Sequence, residues 1–310
     1  MKLSFVIPCY RSENTIETVV TEIEKLMRAK SGYTYEVIAV NDCSPDNVWN
    51  VLKKLAEKSP NVKIIDCAKN MGQHAALMAG YMYADGDIVV SLDDDGQCPI
   101  DKVWDLIAPL QQGYDITIAH YPKKTQSRFK NFGSKLNDLM ASFIIGKPKD
   151  LKLSNFYAMK KFICQEIIRY GNPYPYIDGL LLRSSSRIKN VFMEERERIS
   201  GSTGYTFSKL VGLWLNGFTA FSVRPLRIAT FLGFLLASVG FCFTLVVVVQ
   251  KILDPTIMAG YSSLMAVILF VGGVLMLLLG LIGEYIGRIY ISLNNSPQYV
   301  IRQTMNIDKK

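Results

Sequence analysis

Over the first two thirds of the chain, short runs of β-branched and aromatic residues alternate with stretches whose apolar positions recur every three or four residues. "LSFVIP" reads as a strand. Residues 13–29 read as a helix, because Ile16, Val19, Val20, Ile23 and Leu26 fall at helical spacing, and "YEVIAVND" reads as the next strand. A helix over 47–58, a strand "VKIIDCA", a helix over 72–84 and a strand "DIVVSLD" continue the rhythm. Strand–helix–strand alternation specifies an α/β domain with a parallel sheet. Ligands of open α/β sheets collect at the carboxyl ends of the strands. Three polar clusters, "PCYRSEN", "NDCSPDN" and "DDDGQ", stand at such ends and are expected to converge in space.

The pattern changes after Pro225. Residues 228–249 and 264–283 are almost uncharged apolar segments, each about the 20 residues that a helix needs to cross the hydrocarbon core. Arg224 and Arg227 precede the first segment, Arg288 and Arg302 follow the second, and the connecting stretch 250–263 carries only Lys251 and Asp254. The positive-inside rule then predicts two transmembrane helices with the α/β domain and both termini on the cytoplasmic side. Glu284 is expected to pair with Arg288 at i,i+4 spacing. Just before the first span, residues 205–222 are apolar and aromatic, with Trp214 and a single Lys209, and suit an amphipathic helix at the membrane interface. The expected organisation is a cytoplasmic α/β domain over 1–204, a juxtamembrane region over 205–226, a two-helix anchor over 227–290 and a cytoplasmic tail over 291–310.

Composition agrees with a partly lipid-embedded chain: among 310 residues, 49% are hydrophobic, and the mean hydropathy is +0.17. The net charge of +8 admits nucleic acid, a membrane surface or a phosphorylated substrate as partner. No nucleic-acid motif is present, so phospholipid and lipid phosphate are the better match. The six cysteines, Cys9, Cys43, Cys67, Cys98, Cys164 and Cys242, show no C-x-x-C spacing, which favours reduced thiols over a disulfide framework or a zinc site. The N-terminal "MKLSFVIPCY" has too short an apolar run for a secretory signal. G-x-G-x-x-G and Walker patterns are lacking, which argues against a dinucleotide or ATP site.

Asp93, Asp94 and Asp95 pose the sharpest chemical question, since adjacent carboxylates at the edge of a core repel and need a cation or a solvated loop. Acidic residues in such a place also serve simply as caps of the following helix. In a D-x-D pair at a strand tip, Asp93 and Asp95 can share one hard cation, and Mg2+ or Mn2+ held this way keeps contacts to substrate phosphates. The motif alone is weak; at a strand end in a basic, membrane-anchored chain it gains weight.

The order of "FVIPCYRSENTI", "VNDCSPDN", "KNMGQHAALMAG", "DDDGQCP", "ERISGSTGYTFSKL", "FSVRPLR" and "GEYIGRIY" resembles the family 2 glycosyltransferases that make polyprenyl-phosphate sugars, over nearly the whole chain. The resemblance implies a GT-A fold and inverting transfer of a sugar from a nucleotide sugar, a UDP-hexose or UDP-N-acetylhexosamine, to undecaprenyl phosphate at a bacterial cytoplasmic membrane. By position it implies a base and ribose pocket of Pro8, Tyr10, Glu13 and Asp42. Asp93, Asp95 and Gln97 would form the metal and diphosphate group beside Asp94, and Arg198 would stand near the phosphates. For the acceptor phosphate it implies Arg128, Lys130 and Ser134 within the basic stretch "YPKKTQSRFKNFGSKLN". The family often has Ser-Lys where this chain has Thr203 and Gly204. His74 is expected to order its loop rather than act as a base. Relatives suggest a homo-oligomer, a tetramer. The alternatives are a processive membrane polysaccharide synthase, which would have more spans and a Q-x-x-R-W motif, and a non-catalytic nucleotide-sugar-binding scaffold.

Overall fold

The computed structural model describes residues 1–122, 148, 150–196, 224–253, 260–294 and 296–307. The chain divides into two units, one formed by 1–206 together with 295–310 and the other by 207–294.

The first unit is an eight-stranded sheet flanked by helices. In chain order it contains β1 (Lys2–Cys9), α1 (Ile16–Arg28), β2 (Thr34–Asn41), α2 (Val48–Lys58), β3 (Val62–Cys67), α3 (Gln73–Tyr81), β4 (Ile88–Ser91), α4 (Val103–Gln111), β5 (Ile116–His120), β6 (Tyr157–Lys160), α5 (Lys161–Ile168), α6 (Ile177–Ser184) and β7 (Ile188–Phe192). A last strand, β8 (Ile301–Met305), follows the second unit. The order across the sheet is β7-β5-β6-β4-β1-β2-β3-β8. β4, β1, β2 and β3 run parallel, and so do β5 and β7; β6 opposes both β4 and β5, and β8 opposes β3.

The predicted α/β alternation is therefore present in a mostly parallel sheet. The central strands are buried on both faces, which explains why β1 and β2 read as near-continuous apolar runs. α1 buries Ile16, Val19, Val20 and Ile23, four of the five positions given by its spacing, against this sheet; Met27 completes the buried face, and the expected Leu26 is only partly buried. At Gly80 of α3, an added Cβ would collide with the Val6 side chain of β1 and crowd Val40 of β2, so helix and sheet meet at a separation only glycine permits. The six cysteines are free thiols.

The stretch expected as a C-terminal tail is part of this sheet instead. β8 pairs with β3 from Ile64 opposite Met305 to Cys67 opposite Ile301. Asn306 donates its side-chain amide to the carbonyls of Ala56, Ser59 and Val62. A five-residue strand at an edge carries too little apolar periodicity to stand out in a sequence.

The second unit contains two long helices, α7 (Arg224–Leu253) and α8 (Tyr261–Leu293). Among the described residues one stretch, 270–291 of α8, is long and apolar enough to cross a membrane; in α7 the apolar run is the shorter 229–242. Of the two spans expected from hydropathy, the second thus has a full-length candidate among the described residues. The Arg288 side chain and most of the juxtamembrane region 205–226 lie outside what is described.

Candidate active site

In the sheet the chain builds outward from β1 in one direction to β2 and β3, then returns to place β4 on the other side of β1. Loops leaving β1 and β4 therefore diverge, and a crevice opens at their carboxyl ends. The three polar clusters of the sequence meet at this point, through hydrogen bonds rather than mere proximity.

Each of the three consecutive aspartates has its own donor. Asp93 Oδ1 accepts from Gln73 Nε2 at 2.7 Å and its Oδ2 from Asn155 Nδ2 at 3.0 Å. Asp94 Oδ2 accepts the backbone N–H of Tyr10 at 2.9 Å, and Asp95 Oδ1 accepts that of Gln97 at 3.0 Å. Gly96, with φ of +77°, takes the left-handed turn between the last two. Repulsion along the triad is met by two amides from distant elements and two backbone N–H groups. Burial pushes the Asp94 carboxyl up to about 6, with the charges of Asp93 and Asp95 adding to the rise and the Tyr10 N–H opposing it.

On the β2 side, Asp42 is buried and spans the β3–α3 loop, accepting Met71 N–H and Gly72 N–H, each at 2.9 Å. Burial raises its pKa, and those two N–H groups restrain the rise. Glu13 lies between the β1 and β2 loops: its N–H donates to Asp46 Oδ2 at 3.0 Å, and its Oε2 accepts Asn47 N–H at 2.9 Å. Pro8 is buried within β1 beside Val40, whereas the Tyr10 ring is 43% exposed and available for stacking. The expected base and ribose residues and the acidic tip thus share one end of the sheet, joined by the Tyr10–Asp94 bond.

Arg128, Lys130, Ser134 and Arg198 lie outside the described residues, as do Thr203, Gly204 and Lys209. The neighbouring Arg196 is described: its N–H donates to the Gln97 carbonyl at 3.1 Å, and its guanidinium reaches Glu22 at 2.8 Å and Asp101 at 2.5 Å. His74 is enclosed beside Tyr176, with ring centroids 5.3 Å apart, and the Ile177 N–H points to its Nδ1 at 3.5 Å. Loss of hydration pulls its pKa down to about 4, so the ring is neutral near pH 7 and fits the loop-ordering role.

Sequence reading missed Gln73, Asn155, Ser44 and Asp46. Gln73 lies inside the quoted "KNMGQHAALMAG", but nothing in the sequence links it to an aspartate 20 residues on or to an asparagine 62 beyond that.

The donor set at the acidic tip is all oxygen, which suits a hard divalent cation. Among the described residues no group of three or more His, Cys, Asp or Glu side chains is arranged to hold a metal alone. Mg2+ takes only one or two carboxylates and completes its shell with water and substrate phosphate, so Asp93, Asp95 and the Gln97 amide fit such an ion.

The glycosyl transferase family 2 pattern matches residues 4–171, and the GtrB C-terminal hairpin pattern matches 224–289. The chain is 31% identical to a prophage bactoprenol glucosyl transferase homolog of Escherichia coli over 98% of this chain and 99% of that one. It is 30% identical to the undecaprenyl-phosphate 4-deoxy-4-formamido-L-arabinose transferase of Proteus mirabilis, over 99% and 95%. Among solved structures, glucosyl-3-phosphoglycerate synthase of Mycobacterium tuberculosis with Mn2+, UDP and glucosyl-3-phosphoglycerate superposes with a TM-score of 0.51, at 18% identity, over 70% of this chain and 77% of that one. This last likeness is one of fold, a GT-A-like mostly parallel sheet.

Proposed function

This chain belongs to glycosyl transferase family 2, and from that premise we propose that it transfers a sugar from a UDP-sugar to undecaprenyl phosphate at the cytoplasmic membrane, with inversion. The observation that carries the reading is the extent of the likeness. Relatives that act on bactoprenol or undecaprenyl phosphate by name match from end to end, hairpin included, so both the catalytic sheet and the anchor are accounted for.

Tyr10, with its exposed ring, and Glu13 and Asp42 in the β1 and β2 loops suit the uracil and ribose. Asp93, Asp95 and Gln97 would hold Mg2+ or Mn2+, which when bound neutralises the diphosphate leaving group. Gln73 and Asn155 fix the carboxylate of Asp93, and the Tyr10 N–H fixes Asp94, so the tip needs little rearrangement as the donor arrives. The acceptor phosphate is already an anionic nucleophile near neutral pH, which makes a dedicated general base less necessary than for a sugar hydroxyl. The protein's contribution is then alignment and charge stabilisation. Lys130, Arg128 and Ser134 would receive the acceptor phosphate, and Arg198 the donor phosphates.

Chain connectivity supports two spans over one. β8 is hydrogen-bonded into the sheet that β1–β7 form, so the chain must leave and return on the same side of the bilayer. An even number of crossings suits that return, which supports α7 as a second span beside α8.

The test is transfer of radiolabel from a panel of UDP- and GDP-sugars to undecaprenyl phosphate by purified protein in detergent. Metal-dependent formation of a single lipid-linked monosaccharide is expected. Asp95→Asn should lower kcat by at least about 100-fold, on the scale of removing one preorganised charge-stabilising group. Full turnover by Asp93→Asn and Asp95→Asn with chelator present would refute the assignment.

A further inference from the structure

The bonds that hold the nucleotide-side loops do not end at those loops. Asp66, near the end of β3, is 2% exposed, and a buried carboxylate must be matched by donors. Its Oδ1 accepts from Asn41 Nδ2 at 2.8 Å; its Oδ2 accepts from Arg302 Nη1 at 3.3 Å and Gln303 Nε2 at 3.2 Å. Both of the latter donors lie on β8.

From Asp66 the connections run to the pocket. Asn41 presents its Oδ1 to the Ser44 N–H at 3.0 Å. Ser44 Oγ accepts the Arg11 N–H at 2.7 Å and donates to Asp46 Oδ1 at 2.5 Å, and Asp46 in turn accepts Glu13 N–H. Arg11 and Cys43 lie in the left-handed region, with φ of 58° and 50°. Non-glycine residues persist there only when their surroundings hold them, and the Ser44–Arg11 bond joins the two strained turns. A second route leaves the same place: Ala68 N–H donates to the Val300 carbonyl at 2.8 Å, and Arg302 Nη2 donates to the Ala68 carbonyl at 3.2 Å. Ala68 leads into the loop whose Met71 and Gly72 N–H groups cap Asp42. The β3–β8 ladder shifts register between Asp66 and Cys67, an irregularity of the kind that re-aims side chains beside a site.

We propose that Arg302, acting through Asp66 and Ala68, is a positioning residue for the nucleotide: the strand that returns after the helical hairpin sets the two loops that grip the donor. The inference rests on the nucleotide-sugar reading above. Its removal leaves the buried Asp66 short of its cation, loosens Asn41 and Ser44, and lets the Arg11 and Cys43 turns relax away from the bound geometry.

The experiment is calorimetric titration of the full-length protein in detergent with UDP in the presence of Mn2+, beside donor and acceptor kinetics. Arg302→Ala is expected to weaken UDP binding and raise the donor KM about tenfold, the scale of a lost charge-assisted hydrogen bond, while Arg302→Lys stays within about threefold of wild type. The acceptor KM should not move. Asn306→Ala cuts three carbonyl contacts at the other end of β8; it should lower Tm and leave UDP affinity unchanged. Unchanged UDP affinity in Arg302→Ala overturns the proposal, and equal weakening by Asn306→Ala overturns it as well, because the strand's presence alone would then suffice. Folded wild-type protein that binds no UDP overturns the donor reading itself, and this inference falls with it.

Discussion

The two units treat the same residue types in opposite ways. In the α/β unit, Leu3, Phe5, Ile7 and Ile38 are fully buried, and the carboxylates of Asp42, Asp66, Asp93, Asp94 and Asp95 at the strand ends each accept a hydrogen bond. In the helical unit, Phe234 and Met276 are each 72% exposed and Leu279 is 61% exposed. Apolar surface on that scale is stable only against a partner as apolar as itself, and a bilayer is that partner in the reading proposed above. The comparison teaches that apolar residues are enclosed by the chain itself in one unit and left to an outside partner in the other, which is lipid if the proposed reading holds.

Exchanging the two kinds of position gives the largest effects. Ile38→Ala in β2 removes a packed side chain from the centre of the sheet and should cost about 2–5 kcal/mol, read by chemical denaturation of the full chain. Leu279→Ala should leave that transition unmoved. Met276→Arg with Leu279→Arg should shift the protein out of the membrane fraction, since each cation at mid-helix costs about 2.5–3.5 kcal/mol on insertion scales. A doubly substituted protein that still fractionates with membranes would remove the lipid from the comparison.

The contrast also marks how far the sequence was legible. The parallel core, α1's buried face and the acidic tip at a strand end follow from periodicity and from where polar residues interrupt it, because both are local properties of the chain. β8 and the partners of Asp93 are not local. Arg302 meets Asp66 from 236 residues away, and Asn155 meets Asp93 from 62, so short polar segments gain their meaning only from what the fold brings opposite them. Arg128, Lys130, Ser134 and Arg198 rest on resemblance alone.

A second, smaller effect concerns protons. The enclosed His74 has its pKa lowered to about 4 by burial, against about 6.5 for an unfolded chain. Between those values the unfolded chain binds the extra proton, so stability falls as pH drops from 6.5 towards 4, by about 3 kcal/mol in full. Glu36 acts lower down. Burial raises its pKa, but Lys2, Lys63, the Ser4 hydroxyl and the Asp85 N–H outweigh that and hold it at about 2, so its contribution is lost from about pH 4.5 to 2. Replacing His74 with Gln should flatten the upper part of the acid profile and leave the lower part. Gly80→Ala, at the close contact of α3 with β1 and β2, should cost about 1–3 kcal/mol at every pH by overpacking, with no change in slope.

The smallest effect sharpens the same lesson within one unit. Lys58 meets Glu17 at 3.5 Å with both side chains more than three-fifths exposed, whereas Lys63 meets Glu36 at 2.8 Å with the glutamate 2% exposed. The surface pair exchanges water for a partner at almost no gain, and ordering two long side chains offsets what remains. Lys58→Ala should therefore change stability by less than about 0.5 kcal/mol. Lys63→Ala removes a donor from a carboxylate that has lost its water, and leaves Lys2, at 2.7 Å, as the one cation beside the Ser4 hydroxyl and the Asp85 N–H. It should cost about 1–3 kcal/mol and move the acid transition to higher pH, because a Glu36 with one fewer cation takes up its proton sooner. Equal effects from the two lysines would mean that the end of the sheet near Glu36 is as wet as the surface of α2.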